Sequence, residues 1–136
     1  MNIDKFKQQH QHILDSIDAL RRLSRDGVDR NAEAIAQQIV AMSATIKLHL
    51  AAEDHALYPS LQRQDDPELA RMGQAYQQEM GSIAGAYDGF SRRWNHPAHL
   101  RDDADGFRRD ANEVLRRVHE RMQRENRQFY PRVEAL

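Results

Sequence analysis

The chain has 136 residues, of which 20 are basic and 21 acidic, and it contains no cysteine. A domain of this length can bury a core of its own, and the lack of cysteine excludes disulfides and thiolate metal ligands. The near-zero net charge gives no electrostatic reason to expect nucleic acid or an anionic membrane as a partner. No segment approaches the roughly 20 apolar residues that span a bilayer, and the N-terminus lacks the apolar stretch of a signal peptide, so we expect a cytoplasmic protein.

Glycine and proline mark three breaks in an otherwise helical pattern. Gly27 is a C-cap candidate for the first segment, and Asp66-Pro67 starts the third with a capping aspartate and a proline in the first turn. The stretch Asn95-His96-Pro97 separates the third segment from the fourth. The pattern predicts four helices, over about 4–24, 31–58, 67–94 and 101–129.

Apolar residues recur at steps of three and four along each predicted helix, which is the pattern of an inward-facing seam. No stretch shows the alternation that is typical of a strand. Because the connections are short, helices that follow each other in sequence should be antiparallel neighbours. We therefore predict an all-α protein, a single up-down-up-down antiparallel four-helix bundle over residues 1–136.

Five polar side chains stand at seam positions where the spacing demands an apolar residue. The first helix carries His10, the second carries His49 and Glu53, and the fourth carries Arg121 and Glu125. A charged group that is buried without a partner is strongly destabilising, so these side chains should be paired, protonated or bound to metal. Five such residues on three helices indicate one buried polar site.

An internal repeat relates the two halves of the chain. Residues 49–59 reappear as residues 121–131, with a glutamate at the fifth position and a Tyr-Pro pair at the end of both segments. The sequence of the first helix also aligns with that of the third helix, and His10 aligns with Met80. The chain is thus predicted to be two related helical hairpins about a pseudo-two-fold axis. We expect proline to limit the second and fourth helices, because it removes a hydrogen bond and clashes with the preceding turn.

The spacing of the polar residues suits a metal ion. Residues four apart lie on one helical face, so His49 and Glu53 can converge on a single ion. Glu53 and Glu125 should approach each other from the two hairpins, and two close carboxylates repel unless a cation or a shared proton lies between them. Imidazole and carboxylate ligands suit iron, zinc or manganese.

These residues resemble the hemerythrin family, and in particular its HHE cation-binding domains. The resemblance covers essentially the whole chain and is carried by His10, by the stretch from His49 through Glu53 to Leu57-Tyr58-Pro59, and by Glu125 with Phe129-Tyr130-Pro131. It implies a four-helix bundle holding a carboxylate-bridged di-iron centre that binds oxygen or senses oxygen, nitric oxide or iron. By that resemblance His10 and His49 would be terminal ligands, and Glu53 and Glu125 would be bridging carboxylates.

The second half of the chain departs from the family pattern. The third helix carries Tyr76 and Met80 where histidines are expected, and Arg121 replaces the histidine of the fourth. A thioether is a poor ligand for ferric iron, and arginine does not deprotonate to bind metal, so a di-iron oxygen-binding centre is disfavoured. Tyr76 as a phenolate and His119, the only histidine near Arg121, are further candidates for the site.

Two arrangements remain open. In the first, one metal ion, iron in preference to zinc or manganese, is bound by four ligands, His10, His49, Glu53 and Glu125, and Arg121 neutralises the remaining charge. In the second, Arg121 bridges Glu53 and Glu125 in a metal-free ion network, and the bundle acts as an interaction module for another protein. We favour one metal ion, with a role in sensing or metal handling. The sequence contains no recognisable catalytic arrangement or substrate pocket, so we do not expect an enzyme.

Overall fold

The computed structural model describes residues 1–136 and is 88% helical, with no strand. Helix α1 is Asp4–Asp26, helix α3 is Pro67–Trp94, and the short helix α4 is Pro97–Asp102. Gly27 follows α1 with a φ of +130°, a backbone conformation that only glycine adopts readily. None of the helices is both long and apolar enough to cross a membrane.

Helices α2 and α5 each contain a π-helical turn. Helix α2 covers residues 32–62, as the α-helix Ala32–Ala52, the π turn Glu53–Leu57 and the α-helix Tyr58–Gln62. Helix α5 covers residues 104–134 in the same three parts, Ala104–Arg124, Glu125–Phe129 and Tyr130–Glu134. Both π turns begin at the glutamate of the repeat, so the two hairpins share this backbone feature as well as their sequence pattern.

The Tyr-Pro pairs do not end these helices, contrary to our expectation. In each, the tyrosine N–H bonds to the glutamate carbonyl five residues earlier, and the proline lies in the first turn of the α-helical segment that follows. Proline is tolerated there because the first turn of a helix requires fewer backbone donors. Helix α2 therefore runs four residues beyond the predicted boundary at 58, and α5 runs five residues beyond 129.

The predicted fourth helix is divided near its start. Asp103 separates α4 from α5, and its side chain accepts a hydrogen bond from the Gly106 N–H at 2.9 Å. Asp66 caps α3 in the same way, accepting from the Leu69 N–H at 3.1 Å. Each cap satisfies one of the free donors that a helix start exposes.

The four long helices pack in a closed ring, α1 on α2, α2 on α3, α3 on α5 and α5 on α1. A larger apolar cluster fills most of the length of the bundle. A smaller cluster at one end combines residues from the starts of α1 and α3 with residues from the ends of α2 and α5, which is the grouping that an antiparallel order predicts. The polar seam residues lie along the helices between these two clusters.

Candidate metal site

All five polar seam residues are buried. His49, Glu53, Arg121 and Glu125 have no exposed surface, and His10 is 1% exposed. Side-chain contacts link them in one chain that runs from Glu53 through the two histidines to Glu125 and Arg121. The structure thus brings all of them together at one place in the bundle.

Nitrogen and oxygen donors converge at the centre of this site. The Nε2 atoms of His10 and His49 are 3.1 Å apart. A carboxylate oxygen of Glu125 completes a group whose donor atoms all lie within 4.8 Å of one another. Glu53 lies outside that compact group but touches it, because its Oε1 atom is 2.9 Å from His49 Nε2. Three of the four predicted ligands are therefore clustered, and the fourth is adjacent.

Two amide side chains determine which nitrogen of each histidine faces the site. His10 Nδ1 lies 2.8 Å from Asn126 Oδ1, and His49 Nδ1 lies 2.8 Å from Gln9 Oε1. An amide oxygen only accepts, so each Nδ1 donates its proton there and Nε2 is the ring atom that can bind an ion. Two Nε2 atoms without protons cannot hydrogen-bond to each other at 3.1 Å, but both can bind a cation.

Each glutamate uses one oxygen for a hydrogen bond and leaves the other free. Glu53 Oε2 accepts from the Tyr130 hydroxyl at 3.1 Å, and Glu125 Oε1 accepts from Arg121 Nε at 2.6 Å. The remaining atoms, Glu53 Oε1 and Glu125 Oε2, lie 2.9 Å from His49 Nε2 and 3.5 Å from His10 Nε2, respectively, and they are buried without a hydrogen-bond partner when these nitrogens carry no proton. Buried oxygens without partners are rare and costly, so these two atoms point to a missing cation or proton.

The two glutamates differ in their affinity for a proton. Burial and the nearby charge of Glu125 raise the pKa of Glu53 above its ordinary value. Burial acts on Glu125 too, but His10 and Arg121 outweigh it and lower the pKa of Glu125 to about 2. Glu125 is thus ionised under all ordinary conditions, whereas Glu53 can hold a proton when no metal ion is bound.

Tyr130 is a site residue that the seam spacing did not identify. Its ring stacks on His10 with the centroids 4.7 Å apart, and its hydroxyl lies 2.8 Å from His10 Nε2. The π turn explains this position, because five residues in place of four separate Glu125 from Tyr130 along one face. The available signal is the equal spacing of the Tyr-Pro pair in both copies of the repeat, which we interpreted as a limit to the helix and as part of the family resemblance.

Arg121 does not bridge the two predicted carboxylates. Its Nε atom binds Glu125, its Nη1 atom binds Glu79 at 3.2 Å, and Nη2 donates to the Tyr76 carbonyl at 2.6 Å. Glu53 is bound by Tyr130 and His49 instead. Our metal-free alternative, in which Arg121 lies between Glu53 and Glu125, is therefore wrong in its geometry.

The other candidate ligands from the second half of the chain do not supply donor atoms to the site. Tyr76 packs its ring under the Arg121 guanidinium, with 4.5 Å from Cζ to the ring centre, and its hydroxyl faces Gln128 3.5 Å away. Met80 is fully buried among apolar residues. His119 lies outside the donor group.

The site has two halves, with Glu125 between them. The His10 lobe comprises His10, His49, Glu53 and Tyr130. The Arg121 lobe comprises Arg121, Glu79, Tyr76 and Met80.

The fold and these contacts define an all-helical bundle with buried imidazole and carboxylate donors, a class of protein that holds cations in its core. The family model for the hemerythrin HHE cation binding domain matches residues 1–133. The chain therefore belongs to the hemerythrin HHE family, as the motif spacing had indicated. No curated protein and no solved structure matches it.

Proposed function

We propose that this protein binds one divalent metal ion, iron or zinc, between α1, α2 and α5. The ligands are His10, His49, Glu53 and Glu125, through the two Nε2 atoms, Glu53 Oε1 and Glu125 Oε2. The observation that supports this choice is that the two free oxygens are the buried carboxylate atoms without hydrogen-bond partners. Imidazole nitrogen and carboxylate oxygen are ordinary ligands for both metals.

The charges of the site favour a single divalent ion. Arg121 binds both Glu79 and Glu125, and Arg124 also binds Glu79. The three carboxylates of Glu53, Glu79 and Glu125 against these two guanidinium groups leave one negative charge, which one divalent cation more than offsets. Burial opposes the charge on Arg121, but Glu125 and Glu79 keep its pKa above the ordinary value, so the guanidinium stays charged. A second cation in the Arg121 lobe would be placed next to a permanent positive charge.

The function that follows is reversible binding of a metal ion in sensing or metal handling, without catalysis. A bound iron ion would supply a redox couple, and zinc would supply a Lewis acid. Asn126 and Gln9 would orient the ligating histidines, which is the usual role of hydrogen-bond partners behind a metal ligand. A cytoplasmic location and a protein partner remain predictions.

The test is metal analysis of the untagged protein, purified without chelator and again after reconstitution with iron(II) or zinc(II). We expect about one ion per chain, and none in His49→Ala. His55→Ala is the matched control, because His55 lies on the same helix with an exposed side chain. Protein without stoichiometric metal after reconstitution would refute the proposal. Two iron ions per chain with an oxo-bridged absorption spectrum would refute the single-ion site.

A further inference from the structure

We propose that Tyr130 and Arg121 restrict each glutamate to one coordinating oxygen, so that the site offers four protein donors and prefers zinc(II) to manganese(II). This inference rests on the proposed function and adds to it the determinants of metal choice. A glutamate with both oxygens free can bind an ion through one atom or two. A hydrogen-bond donor held against one oxygen uses one of its two lone pairs and turns that oxygen towards the donor, which disfavours the second option.

Tyr130 restrains Glu53. The phenol has a single proton and two neighbouring acceptors, His10 Nε2 at 2.8 Å and Glu53 Oε2 at 3.1 Å. An ion on His10 Nε2 would use that lone pair, so the proton would then go to Glu53 Oε2. The stacked Tyr130 ring is completely buried, which keeps the hydroxyl from turning towards water. Only Glu53 Oε1 is left to coordinate.

Arg121 restrains Glu125 in the same way and more strongly. The Nε atom donates to Glu125 Oε1 at 2.6 Å, in a bond between charged groups that is stronger than one between neutral groups. The guanidinium cannot move away easily, because Glu79, the Tyr76 carbonyl and the Tyr76 ring hold it from other sides. Only Glu125 Oε2 is left to coordinate.

Two histidine nitrogens and one oxygen from each glutamate match the four-coordinate geometry that zinc accepts. Zinc sites in proteins are almost always four-coordinate, whereas manganese(II) prefers more ligands and a larger share of oxygen. Releasing Glu53 Oε2 would add a fifth donor, the third oxygen, and weaken the preference for zinc. The Tyr130 hydroxyl is therefore a positioning group that acts on the ion through Glu53.

The repeat provides a matched control for Tyr130. Tyr58 is its equivalent in the first hairpin, is also buried, and has a hydroxyl without a hydrogen-bond partner. Tyr58→Phe and Tyr130→Phe thus remove the same atom from equivalent backbone positions. Only the second change removes a hydrogen bond to a proposed ligand.

Cobalt(II) is a suitable probe for this test, because four-coordinate cobalt absorbs visible light much more strongly than five- or six-coordinate cobalt. We expect the full-length wild type and Tyr58→Phe to give the intense spectrum when loaded with cobalt(II). Tyr130→Phe should give a weaker one. Competition between zinc(II) and manganese(II) should show the preference for zinc reduced about tenfold in Tyr130→Phe, the scale usual for the loss of a hydrogen bond to a ligand.

The outcomes separate the two proposals. A wild type that takes up none of cobalt(II), zinc(II) and iron(II) would refute the proposed function, whereas one that takes up iron(II) alone would overturn the preference inferred here. Stoichiometric uptake with the weak spectrum of a higher coordination number in the wild type would overturn the four-donor inference alone, and needs no variant. Identical spectra and metal preference in wild type and Tyr130→Phe would overturn the role of Tyr130.

Discussion

In the His10 lobe, two imidazoles and a carboxylate present unshared electron pairs to a common centre. At the equivalent positions of the Arg121 lobe, Met80 replaces His10 and Arg121 replaces His49. Both lobes are buried, and both are built on a helix pair that contains a π turn. The Arg121 lobe satisfies its buried glutamate with a cation that belongs to the chain, whereas the proposed metal ion would satisfy the glutamate of the His10 lobe.

The two solutions differ in what they leave unsatisfied. Glu125 has a permanent partner in Arg121 and has a pKa lowered to about 2. Glu53 has a raised pKa, because burial and the charge of Glu125 outweigh the opposing effect of His49 and His10. The His10 lobe is therefore where a metal ion would stabilise the protein most. The following changes, in order of expected effect, test that difference.

Arg121→Met should cause the largest loss of stability. It leaves Glu125 buried without its cation, which costs about 3–5 kcal/mol for a buried pair. Urea unfolding of metal-free protein measures this change. Arg116→Met is the control, since Arg116 binds Glu113 in an exposed pair that contributes little to stability. A loss in Arg121→Met that is no larger than the control would contradict the role given to this guanidinium.

His10→Leu should remove the stabilisation that zinc(II) provides. An ion present at a hundredfold excess over its Kd raises the free energy of unfolding by about 2.7 kcal/mol, and this increment should disappear with the ligand. Met80→Leu, at the equivalent position of the Arg121 lobe, should keep the full increment. Thermal unfolding with and without zinc measures both. An increment that survives in His10→Leu would show that His10 is not a ligand.

Asn126→Ala should weaken metal binding without abolishing it. The amide oxygen fixes the His10 ring through Nδ1, and loss of such a partner typically costs 10–100-fold in affinity, or about 1.4–2.7 kcal/mol. Titration with zinc against a competing chelator gives the Kd. Asn112→Ala on the exposed side of α5 is the control. Equal affinities in the two variants would argue against this hydrogen bond.

Acidification should weaken metal binding through Glu53. Its pKa is raised in the folded protein, so as the pH falls through that value Glu53 takes up a proton that the ion must displace. The same proton stabilises the metal-free fold at low pH, and that contribution is lost as the pH rises. The difference in free energy of unfolding between zinc-loaded and metal-free protein should therefore widen as the pH rises through the raised pKa of Glu53, by up to about 1.4 kcal/mol per pH unit for one proton.

Glu53→Gln provides the comparison for this pH dependence. The amide has nearly the same shape and cannot titrate, so the difference in Tm should become smaller and flatter with pH. A dependence in the variant as steep as in the wild type would assign the proton to another group. The measurement uses differential scanning fluorimetry on both proteins, each with and without zinc(II).

Much of the fold could be predicted from the spacing of apolar residues and from the residues that start and end helices. Steps of three and four residues gave the helices, and Asp66-Pro67 gave the start of α3, because capping and a first-turn proline have strong local causes. His10, His49, Glu53 and Glu125 were singled out for the same reason, since polar residues on an apolar seam are conspicuous. The family match confirmed the resemblance that these residues carried.

Tyr130 and Glu79 could not be found in this way. Tyr130 enters the site because a π turn advances the helix by one residue, and regular spacing cannot anticipate that shift. Glu79 precedes the seam residue Met80 and its side chain is 43% exposed, so its position predicts a surface residue. It joins the site only because Arg121, from another helix, reaches out to it.

The paired π turns also favour the design of a second ion site. The turn at Glu125 has the same backbone course as the turn at Glu53, although the Arg121 lobe contains no histidine. The π turn is therefore present in a lobe that lacks the histidines of the other lobe. Met80→His together with Arg121→His would place imidazoles on a main chain that already has the required shape, making this bundle a scaffold for engineering a dinuclear centre with few changes.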